Sequence, residues 1–587
     1  MWQPMLPTRV DQVKENTDWI YEIKYDGFRC GLEWTETEIH LWSRNNHNLT
    51  KQFPEIISWC QQNQKYIKEL LPLFLDGELV ILRTAYHSVF SQVQQRSRMK
   101  NMKKIKMISE DRPATYIGFD VINYKGKSVK SKPLTERKQL LHNIFRTFPS
   151  ASNLLAQRVA EIRYFDSLKE IEQVIFLHQS EGMVAKRKQS NYMPGKRTDV
   201  WLKVKNYRNI QGVIVGWDAE NDYFHTAVFE NQQCTALGKV KNGIGTKDQK
   251  TLTTFIRQKG SKQGSSKWKI DPSICVEINC LDANNQEIRE PNFGKFRFDL
   301  DPEECTDKRV RLQLAQIPEK LELTKPEKLL FSNHTKQDLI IYFRHVAPFL
   351  LPRLKDKHLT VIRYPDGIIE ESFYQKHPSR HEPDFIETDG KYILCNNLES
   401  LLWFANHGAI EYHIPFHKKD TDYPDELVFD LDPPSLDEFP LAVLAAKLIR
   451  ELLTYKGFES FVKTSGKTGL QVHAPLDEPM NFEQTREFMH AIAHVLVTKY
   501  PDSFTTERMI KNRGKRLYLD YVQHAPKKTI IAPYSTRATK GATVATPLFW
   551  EELNDELDPR IFTIDTIPQR LNEKGCPFLI GGCTNTE

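Results

Sequence analysis

Glu22-Ile23-Lys24-Tyr25-Asp26-Gly27-Phe28-Arg29 sets a lysine between acidic residues at the end of an apolar run, with a glycine and an arginine directly after. A lysine attacks phosphorus only as the free amine, and neighbouring groups and partial burial tune how readily it reaches that form. Alone, the octapeptide reads equally well as a solvated strand edge, so its meaning depends on segments further along the chain. Leu75-Asp76-Gly77-Glu78-Leu79 reads as a second acidic turn, where a carboxylate holds a divalent ion or a ribose hydroxyl, or as a plain Asp-Gly hairpin. Glu181-Gly182-Met183-Val184-Ala185-Lys186 and Trp201-Leu202-Lys203-Val204-Lys205 come later. In the last, Lys203 and Lys205 alternate on one strand face, as needed to hold a phosphate chain from one side; a solvated lysine face has the same pattern.

In this order, with Ser43-Arg44 and Phe119-Asp120 between them, the segments resemble the nucleotidyltransferase superfamily of ATP-dependent DNA ligases, whose nucleophile motif is KxDGxR. The resemblance implies an ATP-grasp-like ligase core over residues 1–210 in which Lys24 takes AMP from ATP as a lysyl-AMP, passes it to a DNA 5′-phosphate, and lets a 3′-hydroxyl displace it. It implies ATP contacts from Glu22, Arg29, Arg44, Glu78, Phe119, Lys203 and Lys205, with Phe119 stacked on adenine and Glu78 and Glu181 holding Mg²⁺ or Mn²⁺. Residues 211–306 show short strands at close spacing, with no long helical pattern among them, and resemble the oligonucleotide-binding (OB-fold) barrel that follows such cores. Arg289, Pro291, Phe293 and Arg297 fit its terminal motif, which implies that Arg297 closes over the pyrophosphate. Residues 307–328, dense in Lys, Glu and Pro, suit a linker or a helical tether.

A second constellation lies beyond it. Val428-Phe429-Asp430-Leu431-Asp432-Pro433 places two carboxylates at i and i+2 on one strand face, where like charges are costly unless cations sit between them. Asp520 stands in a further apolar run, Arg516-Leu517-Tyr518-Leu519-Asp520-Tyr521. Between them, Lys463-Thr464-Ser465-Gly466-Lys467-Thr468-Gly469-Leu470 is a glycine-interrupted basic loop whose amides suit phosphate but whose spacing is not that of a P-loop. Leu441, Leu444, Ala445, Leu448 and Leu452 recur at helical spacing after the Asp430 strand.

With Arg363-Tyr364-Pro365-Asp366-Gly367, Ser372-Phe373-Tyr374-Gln375-Lys376, Glu411-Tyr412-His413 and Ser535-Thr536-Arg537, residues 329–587 resemble the archaeo-eukaryotic primase-type polymerase domain of the bacterial end-joining enzyme family ligase D. That implies two divalent ions on Asp430, Asp432 and Asp520, a triphosphate held by His413, Ser465, Lys467, Ser535 and Arg537, and template bases stacked on Phe373 and Tyr374. Two positions depart from the pattern: Gln471 stands where many relatives have histidine, with His473 two residues on, and Ile362 where a basic residue often precedes Arg-Tyr-Pro.

The composition is permissive. At about 150 residues per domain, 587 residues predict about four folding units. The 82 basic and 76 acidic residues leave only +6, so a polyanion must be held by local basic faces. Nine cysteines, at 30, 60, 234, 275, 280, 305, 395, 576 and 583, form no CxxC pair and read as reduced thiols. No apolar stretch approaches a membrane span and Met1-Trp2-Gln3-Pro4 lacks a signal-peptide pattern, so a cytoplasmic protein is expected.

Together these readings predict a multidomain α+β enzyme of double-strand break repair. Its ATP-dependent ligase works on double-stranded DNA ends, nicks and gaps, and its polymerase adds NTPs or dNTPs to template-directed or terminal 3′ ends. The resemblance further implies the bacterial Ku homodimer as partner, and no segment matches the phosphoesterase domain that many relatives carry. The rivals are a DNA-binding scaffold with one catalytically dead module, disfavoured by intact Lys24 and all three carboxylates, and an RNA ligase or capping guanylyltransferase, which leaves the second half unexplained.

Overall fold

The computed structural model describes residues 2–149, 153–284, 286–379 and 382–580. The chain divides into two compact units, the first taking the chain up to Asp26, Ser128–Lys138 and Ile162–Ile317, the second Gly27–Lys127, Gln139–Glu161 and the chain from Pro318. The division falls inside the KxDGxR motif, between Asp26 and Gly27.

Among the described residues the first unit holds two larger sheets and a two-stranded one, Asp282–Asn284 with Glu287–Arg289. Of the larger two, one runs in the order Leu6–Arg9, Arg197–Lys205, Gly182–Arg187, Trp19–Ile23, Tyr164–Phe165. Trp19–Ile23 sits inside it with four of five residues buried, as its apolar run requires. Gly182 backs the sheet closely: a Cβ there would lie 2.1 Å from the Val204 carbonyl oxygen, and its φ of +147° suits glycine. The other sheet has six strands: Arg208–Asp218, Tyr223–Glu230, Gln233–Val240, Ser261–Gln263, Lys267–Cys280 and Asn292–Phe296. Ile210, Ile214, Phe224, Val240, Val276 and Phe293 fill its core. The expected uninterrupted run of strands is corrected, because Thr246–Lys259 is a helix. Only Leu252 and Ile256 of it are buried, one turn apart among polar residues, too thin a stripe to show as a helical period. Asp307–Ala315, in the charged stretch after this sheet, is also helical and sends Val310 into the same core.

The second unit contains the sheet Val159–Glu161, Thr115–Tyr124, Leu73–Val80, Phe28–Trp34, Ile39–Ser43, and two further sheets of four or more strands from residues beyond 330. Asp76-Gly77-Glu78 is mid-strand, correcting the turn reading; a Cβ on Gly77 would meet the Ile117 carbonyl and the Tyr116 ring at 2.5 Å, so the glycine serves close strand packing. Of the later sheets, one orders Phe373–Gln375, Thr360–Arg363, Ala409–Pro415, Thr529–Ile531, and the other Phe504–Thr505, Leu517–Asp520, Glu426–Asp432, Leu470–Pro475, Phe461–Thr464, Pro547–Leu548. The helix Lys336–Leu354, opened by a Thr335/Asp338 capping box, is buried on nearly every side. The helix Phe439–Tyr455 forms where the spacing predicts one and buries the predicted Ala445, but the rest of its inward face carries Ala442, Val443, Ala446, Ile449 and Leu453, one residue on from most of the predicted leucines.

Within this unit the earlier and later parts touch. Arg83 donates to the His345 carbonyl at 3.2 Å and lies 5.6 Å over the Phe349 ring, and Gln92 donates to the Asn572 carbonyl at 2.7 Å. Eight cysteines are unpaired thiols, and Cys583 lies outside the described residues. No helix among the described residues is long and apolar enough to cross a membrane.

Candidate active site

Lys24 comes directly after the buried strand Trp19–Ile23, and its backbone N–H donates to the Gly182 carbonyl at 2.9 Å, which fixes where the side chain starts. Its Nζ lies 2.6 Å from Glu181 Oε2. Glu22, 1% exposed, is held between Lys138 and Lys186, the latter at 2.6 Å. Lys186 in turn stands 4.2 Å over the Trp201 ring. Lys203 and Lys205 end the strand Arg197–Lys205 on one face. Burial pushes the Lys205 amine down to about 8, with Lys24 and Lys203 adding to the shift against the pull of Glu181, and Lys203 is lowered by burial and then by the charges of Lys24 and Arg197. Burying cations side by side raises the cost of the charged form.

Two residues at the end of the short strand Glu287–Arg289 reach these groups. Glu290 pairs with Lys205, and Arg289 pairs with Asp26 of the nucleophile motif. Arg297 is engaged elsewhere: its guanidinium binds Asp299 at 2.6 Å and 2.8 Å and reaches Glu277 at 3.4 Å. In the sequence Arg289 belongs to a motif but has no role of its own, and nothing marks Glu290; they pair with residues 263 and 85 positions away.

In the second unit, Arg29, Arg44 and Glu78 line one open cleft of ≈ 950 Å³ together with Ser43, Phe90 and Ser97. Arg29 grips buried Asp76 through two bonds of 2.7 Å and lies 4.2 Å over the ring of Phe119. Phe119 is 6% exposed, so as placed its ring carries the arginine.

The later acids form a row. Asp430 lies directly opposite Asp520 on the neighbouring strand and opposite Gln471 on the other side, and Gln471 lies opposite Lys463 on the next strand again. Asp432 comes two residues after Asp430 on the same face, at the exposed end of its strand. Burial, and then the charge of Asp432, push the Asp430 carboxyl up to about 7, while a 3.0 Å bond from Gln471 Nε2 to its Oδ1 works the other way. Asp520 Oδ1 accepts from the Val522 and Gln523 amides at 3.1 Å and 2.9 Å. Burial likewise pushes Lys463 down to about 7 despite the pull of Asp430. Among the described residues no three acidic, His or Cys side chains converge closely enough, as they stand, to hold an ion between them. The donor set nonetheless suits one: hard carboxylate oxygens side by side, with those of Asp430 and Asp432 pushed toward protonation, are what a divalent cation discharges.

Glu411, to which no sequence pattern gives a role, organises the groups expected around a triphosphate. It bonds His413 Nε2 at 3.1 Å, pairs with Arg537 at 3.4 Å and accepts from the Ala538 amide at 3.1 Å. Burial raises its carboxyl, but the His413 bond and the Arg537 charge outweigh that and hold it at about 2. The 465–470 loop closes on itself, Ser465 Oγ accepting from the Lys467 and Gly469 amides at 3.3 Å and 3.0 Å, and leaves Lys467 exposed. Ser535 is fully buried, accepting from the Tyr412 amide and donating to the Thr536 carbonyl, so as placed it fixes backbone. Phe373 and Tyr374 are 45% and 70% exposed, with Arg363 5.1 Å over the Phe373 ring.

Two family models match: "ATP dependent DNA ligase domain" over residues 4–205 and "LigD, primase-polymerase domain" over residues 335–578. The bifunctional non-homologous end joining protein LigD of Bacillus subtilis is 36% identical over 584 residues, covering 98% of this chain and 96% of that one. The multifunctional non-homologous end joining protein LigD of Pseudomonas aeruginosa is 24% identical over 621 residues, covering 97% and 71%. Among solved structures, the polymerase domain from Mycobacterium tuberculosis ligase D in complex with DNA is 26% identical, covers 46% of this chain and 99% of that one, and has a TM-score of 0.42.

Proposed function

The chain belongs to the LigD family of bifunctional non-homologous end joining proteins, and from that premise we propose which residues carry each of its two activities. It combines an ATP-dependent DNA ligase domain with a primase-polymerase domain. The proposed division is a ligase core over 1–210, an OB-fold over 211–306, a connecting segment over 307–328 and a polymerase over 329–587.

In the ligase, Lys24 is the nucleophile toward the α-phosphate of ATP, and Glu181, 2.6 Å from its Nζ, is placed to take up the amine's proton. Lys203 and Lys205 face the phosphates, Glu22 is the buried anchor that sets Lys138 and Lys186 in place, and Arg29, Arg44 and Glu78 face the nucleic acid or nucleotide from their cleft. In the polymerase, Asp430, Asp432 and Asp520 would hold divalent ions, Mg²⁺ or Mn²⁺. Such ions supply charge neutralisation and alignment of a 3′-hydroxyl with an incoming nucleotide. His413 and Arg537, set by Glu411, and Lys467 receive the triphosphate, with Ser465 shaping the loop and Ser535 the strand behind it. Phe373 and Tyr374 offer exposed rings to template bases. The substrates are DNA ends, nicks and gaps with ATP and NTPs or dNTPs, the partner a Ku homodimer, and the setting the cytoplasm.

The observation that carries this reading is that one chain places Lys24 on a buried carboxylate and also sets Asp430 opposite Asp520 on adjacent strands. Incubation with α-labelled ATP or GTP tests the ligase half. Label is expected from ATP alone and absent in Lys24→Ala; transfer from GTP, or label surviving that substitution, overturns it.

A further inference from the structure

Across four adjacent strands of the polymerase sheet runs the row Asp520, Asp430, Gln471, Lys463. Side chains directly opposite on neighbouring strands share a face and interact. Gln471 is the member without a role so far. It is 2% exposed, its Nε2 donates to Asp430 Oδ1 at 3.0 Å, and its Oε1 is buried without a hydrogen-bond partner. With Asp430 ionised, as a ligand to a cation must be, the amide has one orientation open to it, because turning it over sets its oxygen against a carboxylate. A buried amide that leaves its own oxygen unbonded to keep its N–H on an acid puts that acid's position ahead of its own hydrogen bonding.

We infer that Gln471 is a positioning residue for nucleotidyl transfer: its amide fixes the Asp430 carboxylate through Oδ1 and leaves Oδ2 directed to a divalent ion. This rests on the reading of Asp430 as an ion ligand. Partners of this kind orient the groups that touch the metal, and removing one typically weakens metal binding about 10- to 100-fold.

The test measures Mn²⁺ binding to the full-length chain, without DNA or nucleotide, as loss of the free-Mn²⁺ electron paramagnetic resonance signal. Asp430→Ala protein defines the component belonging to the polymerase site. Gln471→Leu is expected to weaken that component about tenfold, to raise the Mn²⁺ concentration for half-maximal nucleotide addition by a similar factor, and to leave lysyl-AMP formation unchanged. Gln471→His offers a ring N–H from the same strand position and is expected to restore Mn²⁺ affinity. Should Gln471→Leu fail to fold, Gln471→Met, of matching length, takes its place. Unchanged Mn²⁺ affinity in the folded apolar variant, or a loss that Gln471→His does not repair, overturns the inference. Total Mn²⁺ binding identical in Asp430→Ala and the unaltered chain, with no component lost, instead sinks the reading of Asp430 itself.

Discussion

Around Lys24, charge meets opposite charge: Lys24 on Glu181, Glu22 between Lys138 and Lys186, Asp26 on Arg289, Lys205 on Glu290. Around Asp430, two more carboxylates stand near the first, and in return the chain offers the neutral amide of Gln471, the buried amine of Lys463, two backbone amides on Asp520 and the charges of Arg513 and Arg537 acting on Asp432, with no ion pair on Asp430 among the described residues. The first arrangement is complete before any substrate arrives, so a nucleotide must exchange partners with side chains already engaged. The second is incomplete, so a ligand must bring the missing positive charge. An enzyme can therefore prepare for phosphoryl transfer either by prepaired cations or by unpaired anions, and this chain does both.

The largest expected effects separate the two regions. Asp430→Ala should lower nucleotide addition by about three orders of magnitude or more while lysyl-AMP formation persists, and Lys24→Ala should do the reverse. Primer extension and label transfer on the same preparations check this. Loss of both activities in a folded variant breaks the comparison.

The polymerase half also buries a histidine that has given up its charge. His524, 1% exposed, lies between the rings of Phe416 and Phe482, and burial pushes it down to about 4 from 6.5. The unfolded chain binds the extra proton between those values, so stability is fully present above pH 6.5 and falls as pH drops toward 4, by about 3 kcal/mol at most. Thermal unfolding across that window should show the decline, and His524→Phe should flatten it.

Glu411→Gln removes the negative charge that holds His413 and Arg537, and an about tenfold rise in the KM for NTP is expected with little change at saturating nucleotide. A fall in kcat at unchanged KM would remove Glu411 from the triphosphate side. The smallest effect belongs to Glu290→Gln. Glu290 is 45% exposed on its side chain, so its pair with Lys205 is worth about 0–1 kcal/mol. A lowering of the KM for ATP by a few-fold in the adenylation step sharpens the picture of a prepaired site, and a raised KM refutes it.

What the sequence made legible was local. Lys24 next to a glycine and arginine, the alternation of Lys203 and Lys205, and the i, i+2 spacing of Asp430 and Asp432 are all written within a few residues, and strand geometry turns each into a shared face. What it hid was pairing at a distance. That Glu290 sits on Lys205, or that Glu411 joins His413 to an arginine 126 positions on, depends on which strands become neighbours. The Asp76 strand reads as a turn because Asp-Gly is a turn signal, one that in this protein serves close packing on Tyr116. The helix Thr246–Lys259 escapes notice because two buried residues make no period.

Glu290 on Lys205 has a further consequence for ionic strength. Binding of DNA weakens steeply with salt because neutralising its phosphates releases the small cations condensed along the duplex. A single nucleotide is too short to carry such a condensed layer, and its phosphate at Lys205 merely changes places with Glu290. Adenylation is then expected to tolerate salt while retention of DNA on exposed lysines does not, so a concentrated electrolyte should leave the enzyme charged with AMP but parted from its ends.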